Sequence, residues 1–444
     1  MMAVKPSFRD DLRVYLQPRV LVIFILGIAS GFPWVMIGSA LSAWLQEEGL
    51  TRSVIGYFGA VFGAYSINFL WSPLVDSIKI PILTRSLGQR RSWILSCQLI
   101  IVAACFALSQ LQVSEHLHLV GLLAMAIAIS SATQDIAIDA YRIESFAVTE
   151  GRLQSAGAAM ATAGWWTGYA GLGAIPFFIV DSQQWYWQDA YAILGFIMLT
   201  IAAVVLVVRK ATYHQQDSDG QLAHAGLLGR LEHILFAPIK EFFQRNGVKF
   251  ALSVLVFIFL FKIGEAFLGR MSIVFYKEIG FSNDQIGTYS KLVTWWVTIL
   301  FALLGSAVNL RMGIVKGLLF GGLAMAASNL MFSWIALVGP SEQLFLSAVI
   351  IDGFTSAWST VAFVAFISLL CNRTFTASQY ALMASLGTLG RTLLSSYSGV
   401  VVDALDGNWT LFFLLTAVMV IPSLLFLWHI RHTLTHLESL RDDR

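Results

Sequence analysis

Charged residues are scarce in this chain of 444 residues. Lysine, arginine, aspartate and glutamate make up only 12% of it, whereas hydrophobic residues make up 57%. Apolar runs long enough to span a bilayer recur along the whole sequence, which excludes an ordinary soluble domain. The formal net charge of +2 is too small to indicate a nucleic-acid partner. The composition therefore predicts an all-α integral membrane protein whose partner is the lipid bilayer.

Cysteine is also rare, and the common catalytic motifs are missing. Cys97, Cys105 and Cys371 lie in or beside predicted membrane helices without paired spacing, so we interpret them as small apolar packing residues. The sequence contains no Gly-rich phosphate loop, no metal-spaced His or Cys cluster and no nucleophile elbow. We therefore expect no cofactor, no metal site and no enzymatic activity. A membrane-embedded acyl or glycosyl transferase is the enzymatic alternative, because it too could bury carboxylates.

Twelve apolar segments are predicted to be transmembrane helices. The first is too long for a signal-peptide core and has no small-residue cleavage site behind it, so we expect it to be retained as a span. The twelve segments lie near residues 20–45, 53–76, 92–112, 117–145, 153–180, 188–208, 250–276, 285–310, 314–338, 343–371, 377–402 and 408–429.

Lysine and arginine are distributed unequally among the segments outside these helices. The two terminal tails, the even-numbered loops and the helix ends beside them carry 22 of them, against only Arg52 and Lys277 in the odd-numbered loops. Cytoplasmic loops of membrane proteins carry the excess of positive charge. Both termini are therefore expected in the cytoplasm.

One long polar and amphipathic interruption, from Arg209 to Lys249, separates six helices from six. It predicts an N-terminal bundle at 1–208, a cytoplasmic linker at 209–248, and a C-terminal bundle with its tail at 249–444. The small-residue segment 155–164 in helix five resembles 378–387 in helix eleven. Two related six-helix halves are typical of parallel-repeat transporters, although small-residue helix packing alone would give the same pattern.

Eight charged residues lie inside the predicted helices and away from their ends, and the two signs are balanced. A charge at the centre of a bilayer costs about 2.5 kcal/mol or more, so such residues typically border a water-filled cavity. Equal numbers allow mutual neutralisation. They fall on helices four, seven, eight, ten and eleven, which predicts a polar interior lined by a subset of helices. The eight are Asp135, Asp139, Glu265 and Asp352, with Lys262, Arg270, Lys291 and Arg391.

Several segments resemble the AmpG-type muropeptide permeases of the major facilitator superfamily, and the resemblance runs nearly end to end. They are SGFP at 30–33, FLWSPLVD at 69–76, GQRRSW at 88–93, ATQDI at 132–136, FKIGEAF at 261–267, AFVAF at 362–366 and LCNRTFTASQYAL at 370–382.

The resemblance implies a major facilitator fold in the bacterial cytoplasmic (inner) membrane, with helices one, four, seven and ten lining a central cavity. It also implies import of N-acetylglucosamine linked to anhydro-N-acetylmuramic acid, with or without a stem peptide, driven by the proton gradient. Residues 87–92 depart from the arginine-rich form that is usual after helix two.

The four acidic residues inside the helices are our candidates for proton coupling. Asp135 and Asp139 share one helix face, and two carboxylates at that spacing in a low dielectric cannot both ionise comfortably without a nearby cation. We therefore expect one of the two to hold a proton. The alternative is that a nearby cation keeps both carboxylates ionised and in place. Glu265 can pair with Lys262 three residues earlier, which could instead be a local salt bridge. Asp352 has no opposite charge within a turn of its own helix.

Candidate ligand contacts are basic, polar or aromatic side chains inside the helices. Arg391 could hold a ligand carboxylate through its bidentate guanidinium, or could pair with an aspartate instead. Lys291 could attract an anionic ligand or merely snorkel. Sugars need flat apolar faces beside hydrogen-bonding groups, although packing is the ordinary role of a membrane tryptophan. The remaining predicted contacts are Gln134, Lys262, Trp71, Trp165, Trp166, Trp295, Trp358, Tyr65 and Asn68.

A further charge cluster is predicted at the cytoplasmic ends of helices two and four. Such a cluster can hold two halves together while the cavity faces outward, and it must break for the inward state. Static anchoring by the positive-inside rule explains the arginines equally well, but not the aspartate. The predicted gate residues are Asp76, Arg90, Arg91, Arg142 and Glu144.

The sequence thus favours a proton symporter that imports anhydromuropeptides for cell-wall recycling and acts as a monomer. One alternative is a permease of the same family for another cargo, such as acetyl-coenzyme A or a drug-like molecule. The other is a membrane sensor that binds cell-wall fragments without moving them.

Overall fold

The computed structural model describes residues 14–146, 150–181, 184–208, 240–370 and 376–442. Secondary structure within these ranges is helical, without any strand. Nine described helices are long and apolar enough to cross a membrane. They are Pro18–Glu47 (α1), Arg52–Leu70 (α2), Gln89–Leu108 (α3), Leu117–Glu144 (α4), Trp187–Val207 (α6), Val248–Ile279 (α7), Ile314–Val338 (α9), Glu342–Ile367 (α10) and Trp409–Thr435 (α12).

The other three predicted spans coincide with interrupted helical runs, so the count of twelve spans stays a prediction. Residues 151–181 (α5) contain a π-helical segment at Thr167–Gly171. Residues 283–312 (α8) contain a longer one at Ile286–Val293. Residues 376–404 (α11) consist of Thr376–Ser395 and Ser398–Ala404, separated by a turn. Because π-helical segments are rare and often lie at functional sites, α5 and α8 are of particular interest.

The small-residue helices α5 and α11 each pack closely on the first helix of their half. A Cβ atom at Gly164 of α5 would lie 2.2 Å from the carbonyl oxygen of Phe24 in α1. A Cβ atom at Gly390 of α11 would lie 2.8 Å from the carbonyl oxygen of Phe259 in α7. Backbone contact this close needs glycine. The pairing of α1 with α5 thus resembles that of α7 with α11, and the two related halves stay a prediction.

Contacts divide the chain into two units. The first contains Met1–Glu48, Asn68–Gln216 and Ile286–Trp295; the second contains Gly49–Ile67, Asp217–Gln285 and Trp296–Arg444. This division differs from the predicted bundles in two segments: the beginning of α2 belongs to the second unit, and the π-helical part of α8 belongs to the first. Most of the predicted linker, 209–248, lies outside the described residues, so the domain boundaries stay predictions.

Aromatic packing in the second unit fixes α7 against α10. The rings of Phe257 and Phe366 lie 5.1 Å apart, and those of Phe261 and Phe363 are stacked at 5.3 Å. Buried aromatic pairs stabilise such a contact beyond the area they bury, by about 0.5–1.5 kcal/mol. This packing brings the charged side chains that follow Phe261 in α7 next to the polar face of α10.

Candidate functional site

Asp135 lies in α4 and is bonded to a serine of α1. The Oγ atom of Ser30 donates to Oδ1 of Asp135 across 2.7 Å, and the aspartate is half-buried. The preceding Gln134 has no exposed surface and donates from Nε2 to the carbonyl oxygen of Ala29, 2.8 Å away. Gln134 thus lies buried between α1 and α4, and its role as a ligand contact stays a prediction.

Asp139, one turn after Asp135, has a different environment. Its side chain is 67% exposed and pairs with Arg142, with 3.1 Å between Oδ1 and the nearer guanidinium nitrogen. We predicted that Asp135 and Asp139 act together as a proton carrier. Because Asp139 pairs with Arg142, the geometry favours Asp135 alone as the carrier in this helix.

The residues of the predicted gate form separate contacts with different helices. Arg90 forms an ion pair with Glu144 at 2.8 Å, joining α3 to α4. Arg91 is buried and donates to the carbonyl oxygens of Val205 and Leu206 at the end of α6. Arg91 therefore satisfies unpaired carbonyls at a helix terminus, and its role in the gate stays a prediction. The Asp76 side chain lies outside the described part of the structure.

A second polar cluster joins α7 to α10 in the second unit. The ammonium group of Lys262, which is only 4% exposed, forms an ion pair with Glu265 and donates to Oγ of Ser359 at 2.8 Å. The Oγ atom of Ser356 donates to the other oxygen of Glu265 at 2.6 Å. The cluster thus neutralises a buried ammonium group within the protein.

Asp352 lies one turn before Ser356 on α10, and its arrangement parallels that of Asp135. The Oγ atom of Ser328 in α9 donates to Oδ1 of Asp352 at 2.9 Å. Thr355 donates to the same serine oxygen at 3.0 Å. Asp352 is half-buried, and none of the ion pairs found among the described residues involves it.

Arg391 of α11 also has a partly open environment. It is half-buried, donates to Oγ1 of Thr388 at 3.4 Å, and interacts electrostatically with Glu265. It forms no ion pair within 4 Å in the part of the chain that the structure describes. A guanidinium group of this kind can accept a carboxylate from a ligand, and this role stays a prediction.

Aromatic side chains gather in the first unit around α5. Trp165 contacts Trp34 and Tyr169, with ring centroids 5.5 Å and 5.1 Å apart, and Trp166 lies 5.2 Å from Trp165. The Nζ atom of Lys291 lies 4.3 Å from the centre of the Tyr169 ring. The Trp295 ring lies 3.6 Å from the position that a Cβ atom at Gly171 would take. The structure therefore brings together four of the predicted ligand contacts: Lys291, Trp165, Trp166 and Trp295.

The other predicted ligand contacts lie elsewhere. Trp71 donates to Oγ1 of Thr133 at 3.1 Å, and Asn68 donates to the carbonyl oxygen of Ala132 at 3.4 Å, so both contact α4 next to Asp135. Two further predicted ligand contacts, Tyr65 and Trp358, belong to the second unit. Tyr65 stacks on Phe62, with ring centroids 6.1 Å apart, and Trp358 donates to Oδ1 of Asn309 at 2.8 Å.

Arg52 is the centre of a charged cluster that the sequence analysis missed. Its guanidinium forms two 2.8 Å hydrogen bonds with Glu278 at the end of α7, and it lies 3.3 Å from Asp403 of α11. Trp409 donates to Glu278 at 2.9 Å. A Cβ atom at Gly399 would lie 1.8 Å from the carbonyl oxygen of Arg52. We call Arg52, Glu278, Asp403 and Trp409 the α2 clasp; the sequence signal was the rarity of basic residues in the odd-numbered loops.

The serines of the α7–α10 cluster were missed as well, although their spacing offered a signal. Asp352, Ser356 and Ser359 occupy positions i, i+4 and i+7, which share one face of a helix. An aspartate followed by hydroxyl groups at that spacing indicates a polar helix face.

Comparison with known proteins identifies the family. A transporter of Rickettsia felis named AmpG 4 is 32% identical over 94% of this chain and 98% of its own length. The anhydromuropeptide permease of Escherichia coli is 30% identical over 96% of this chain and 82% of its own length. The chain belongs to the AmpG-type muropeptide permease family. This AmpG-type protein is thus an integral membrane transporter and not an enzyme.

A solved structure agrees with the fold of this AmpG-type transporter. A D-xylose–proton symporter has a TM-score of 0.65 at 13% identity, covering 95% of this chain and 98% of the symporter. The chain therefore has the fold of a major facilitator superfamily transporter. Models of protein families give no match to the chain.

Proposed function

We propose that this AmpG-type transporter imports anhydromuropeptides from the periplasm to the cytoplasm together with protons. The observation that carries the proton step is the pair of half-buried aspartates, Asp135 and Asp352, each bonded to one serine hydroxyl. A hydroxyl group can donate to a carboxylate and accept from a carboxylic acid. Each aspartate can therefore gain and lose a proton while it keeps its hydrogen bond.

The two aspartates occupy corresponding helices of the two predicted halves, α4 and α10. Neither forms an ion pair among the residues that the structure describes, so no fixed cation holds the carboxylates in the charged form. A carboxyl group inside a membrane transporter typically marks an ion or proton pathway. Asp135 and Asp352 are accordingly our proton carriers, with Glu265 held by Lys262 as a fixed counter-charge.

The cargo is inferred from the family and from the chemistry of the side chains. The relative in Escherichia coli is named an anhydromuropeptide permease, and a muropeptide combines sugar rings with carboxylates. The aromatic cluster of α5 offers flat faces for sugar rings, and Arg391 offers a guanidinium for a carboxylate. We further propose that the transporter acts as a monomer in the bacterial inner membrane, with both termini in the cytoplasm.

Uptake into proteoliposomes tests this function. Vesicles with an acidic exterior should accumulate the disaccharide and the disaccharide-peptide, and collapse of the pH gradient should abolish accumulation but not exchange of labelled for unlabelled ligand. Binding without exchange would instead show a sensor. Accumulation of acetyl-coenzyme A but of neither sugar would show the alternative cargo.

The α2 clasp supports a transport cycle in which one end of the cavity closes by ion pairing. Arg52 begins the second of the first six helices, whereas its partners Glu278 and Asp403 end helices of the last six. Alternating access requires such contacts to break and reform. We propose that the α2 clasp is the periplasmic gate in its closed form.

Replacing Arg52 by alanine should open this gate. Loss of the charge-assisted bonds to Glu278 removes about 1.5–3 kcal/mol, enough to increase the open fraction about tenfold. A cysteine at Ser396, which is 4% exposed beside Gly56 of α2, would report the opening. Its labelling by a membrane-impermeant maleimide from the periplasmic side should rise about tenfold in Arg52→Ala.

The matched control is Arg19→Ala, which removes another arginine that bonds a glutamate in two places, Glu150, but at the opposite end of the predicted topology. Labelling at position 396 should stay low in that variant. Equal labelling of the wild type and of Arg52→Ala would contradict the assignment of the gate.

A further inference from the structure

Lys291 is a buried lysine for which the described part of the chain provides no anion. Its side chain is 2% exposed, and Nζ lies 4.3 Å from the centre of the Tyr169 ring. Within the described ranges of the chain, no carboxylate lies within ion-pair distance of it and no hydrogen bond involves it. This distinguishes it from Lys262, which has Glu265 and Ser359 as partners.

The Tyr169 ring offsets only part of the free energy that it costs to bury the Lys291 ammonium group. A cation over an aromatic ring gains about 2 kcal/mol when it is desolvated. Removal of an ammonium group from water still costs several kcal/mol, which a well-placed carboxylate would offset. The Lys291 ammonium group would therefore be stabilised by an anion placed beside it.

The backbone around Lys291 is also unusual. Lys291 lies in the π-helical segment of α8, and Tyr169 lies in the π-helical segment of α5. These segments contact each other within the first unit through Lys291 and Tyr169, and a Cβ atom at Gly287 of α8 would lie 3.0 Å from the ring of Phe178, further along α5. Two π-helical segments that place a lysine over a tyrosine indicate a functional site.

Flat aromatic faces continue from Tyr169 along α5. Trp165 lies 5.1 Å and Trp166 lies 5.9 Å from Tyr169, measured between ring centroids. A sugar ring packs its apolar face on such side chains, and a carboxylate attached to that sugar would then reach a neighbouring ammonium group. The aromatic residues and Lys291 are complementary to an acidic sugar.

We propose that Lys291 binds a carboxylate of the cargo, which in the peptide-free disaccharide is the lactyl carboxylate of its acidic sugar, with Tyr169, Trp165 and Trp166 holding the sugar ring. The inference rests on the proposed function and identifies what the transporter selects. Because Lys291 is covered where α5 meets α8, the carboxylate binds when these two helices separate.

The test compares two cargoes that differ in one group: the disaccharide N-acetylglucosamine–anhydro-N-acetylmuramic acid, and the same disaccharide with its lactyl carboxylate converted to the neutral amide. Wild-type protein in proteoliposomes should transport the acid at least about tenfold more efficiently, in kcat/KM, than the amide. Lys291→Met should lose this preference, because kcat/KM for the acid should fall about tenfold more than kcat/KM for the amide. Lys291→Arg should retain part of it.

The control is Lys277→Met, which removes a lysine that bonds Asn283 at the beginning of α8 and should keep the preference for the acid. A preference that persists in Lys291→Met, or an equal loss for acid and amide, would overturn the role of Lys291 and leave the proposed function standing. Wild-type protein that transports neither disaccharide would overturn both.

Discussion

Asparagine at position 135 is expected to abolish proton-driven accumulation of the cargo. An amide cannot take up the proton that the Asp135 carboxylate carries, although it has the same shape and can still bond Ser30. One pH unit across the membrane is worth about 1.4 kcal/mol per proton, or about tenfold accumulation. In Asp135→Asn this accumulation should fall to the equilibrium level, while exchange of labelled for unlabelled cargo continues. Proteoliposome uptake with and without a pH gradient measures both.

Asp139→Asn is the matched control, because Asp139 lies one turn away on the same helix, is mostly exposed and pairs with Arg142. Its accumulation should stay close to that of the wild type. Wild-type accumulation by Asp135→Asn would contradict its role as a carrier, and loss of accumulation in both variants would point to a general effect on α4.

Among the single substitutions proposed here, Glu265→Gln is expected to lower the free energy of unfolding the most. The substitution removes the only carboxylate that pairs with the buried Lys262 among the described residues. Breaking a buried ion pair by removing one partner typically costs about 3–5 kcal/mol, because an uncompensated charge remains. The thermal unfolding midpoint of the purified protein in detergent should therefore fall clearly below that of the wild type.

A second substitution in the same site separates this explanation from a simple packing defect. Lys262→Met combined with Glu265→Gln removes both charges and should recover most of the lost stability. Asp139→Asn breaks an exposed ion pair with the same three-residue spacing and should cost about 0–1 kcal/mol. An unfolding midpoint for Glu265→Gln equal to that of the wild type would show that Lys262 does not need the carboxylate.

Local features of the structure could be predicted from local sequence. The nine helices that qualify as spans all coincide with predicted ones, since hydropathy is a property of each segment alone. The ion pair between Lys262 and Glu265 was expected from a spacing of three residues and is present. The spacing of Asp352, Ser356 and Ser359 is a further local pattern, which indicates a polar face of α10.

Long-range contacts could not be predicted, because they depend on how each helix is rotated and shifted against its neighbours. Arg90 and Arg91 are adjacent, yet one pairs with Glu144 and the other with carbonyl oxygens at the end of α6. Gln134 and Asp135 are adjacent as well, yet one is enclosed in packing and the other is half-buried. Neighbouring residues on a helix are rotated by about 100° relative to each other. The hydropathy of a segment does not show in which direction each of its side chains points.

The amino-acid sequence by itself determined that this protein is a helical membrane transporter, which family it belongs to, and which helices carry charge inside the membrane. The length of an apolar segment, the charge of a loop and the residues of a motif can each be recognised from a short stretch of sequence. Only the tertiary structure decided that Ser30 and Ser328 hold the two aspartates, that Lys291 faces Tyr169, and that Arg52 clasps Glu278 and Asp403. Those contacts join residues up to 351 positions apart, and they arise from the fit of whole helices against one another.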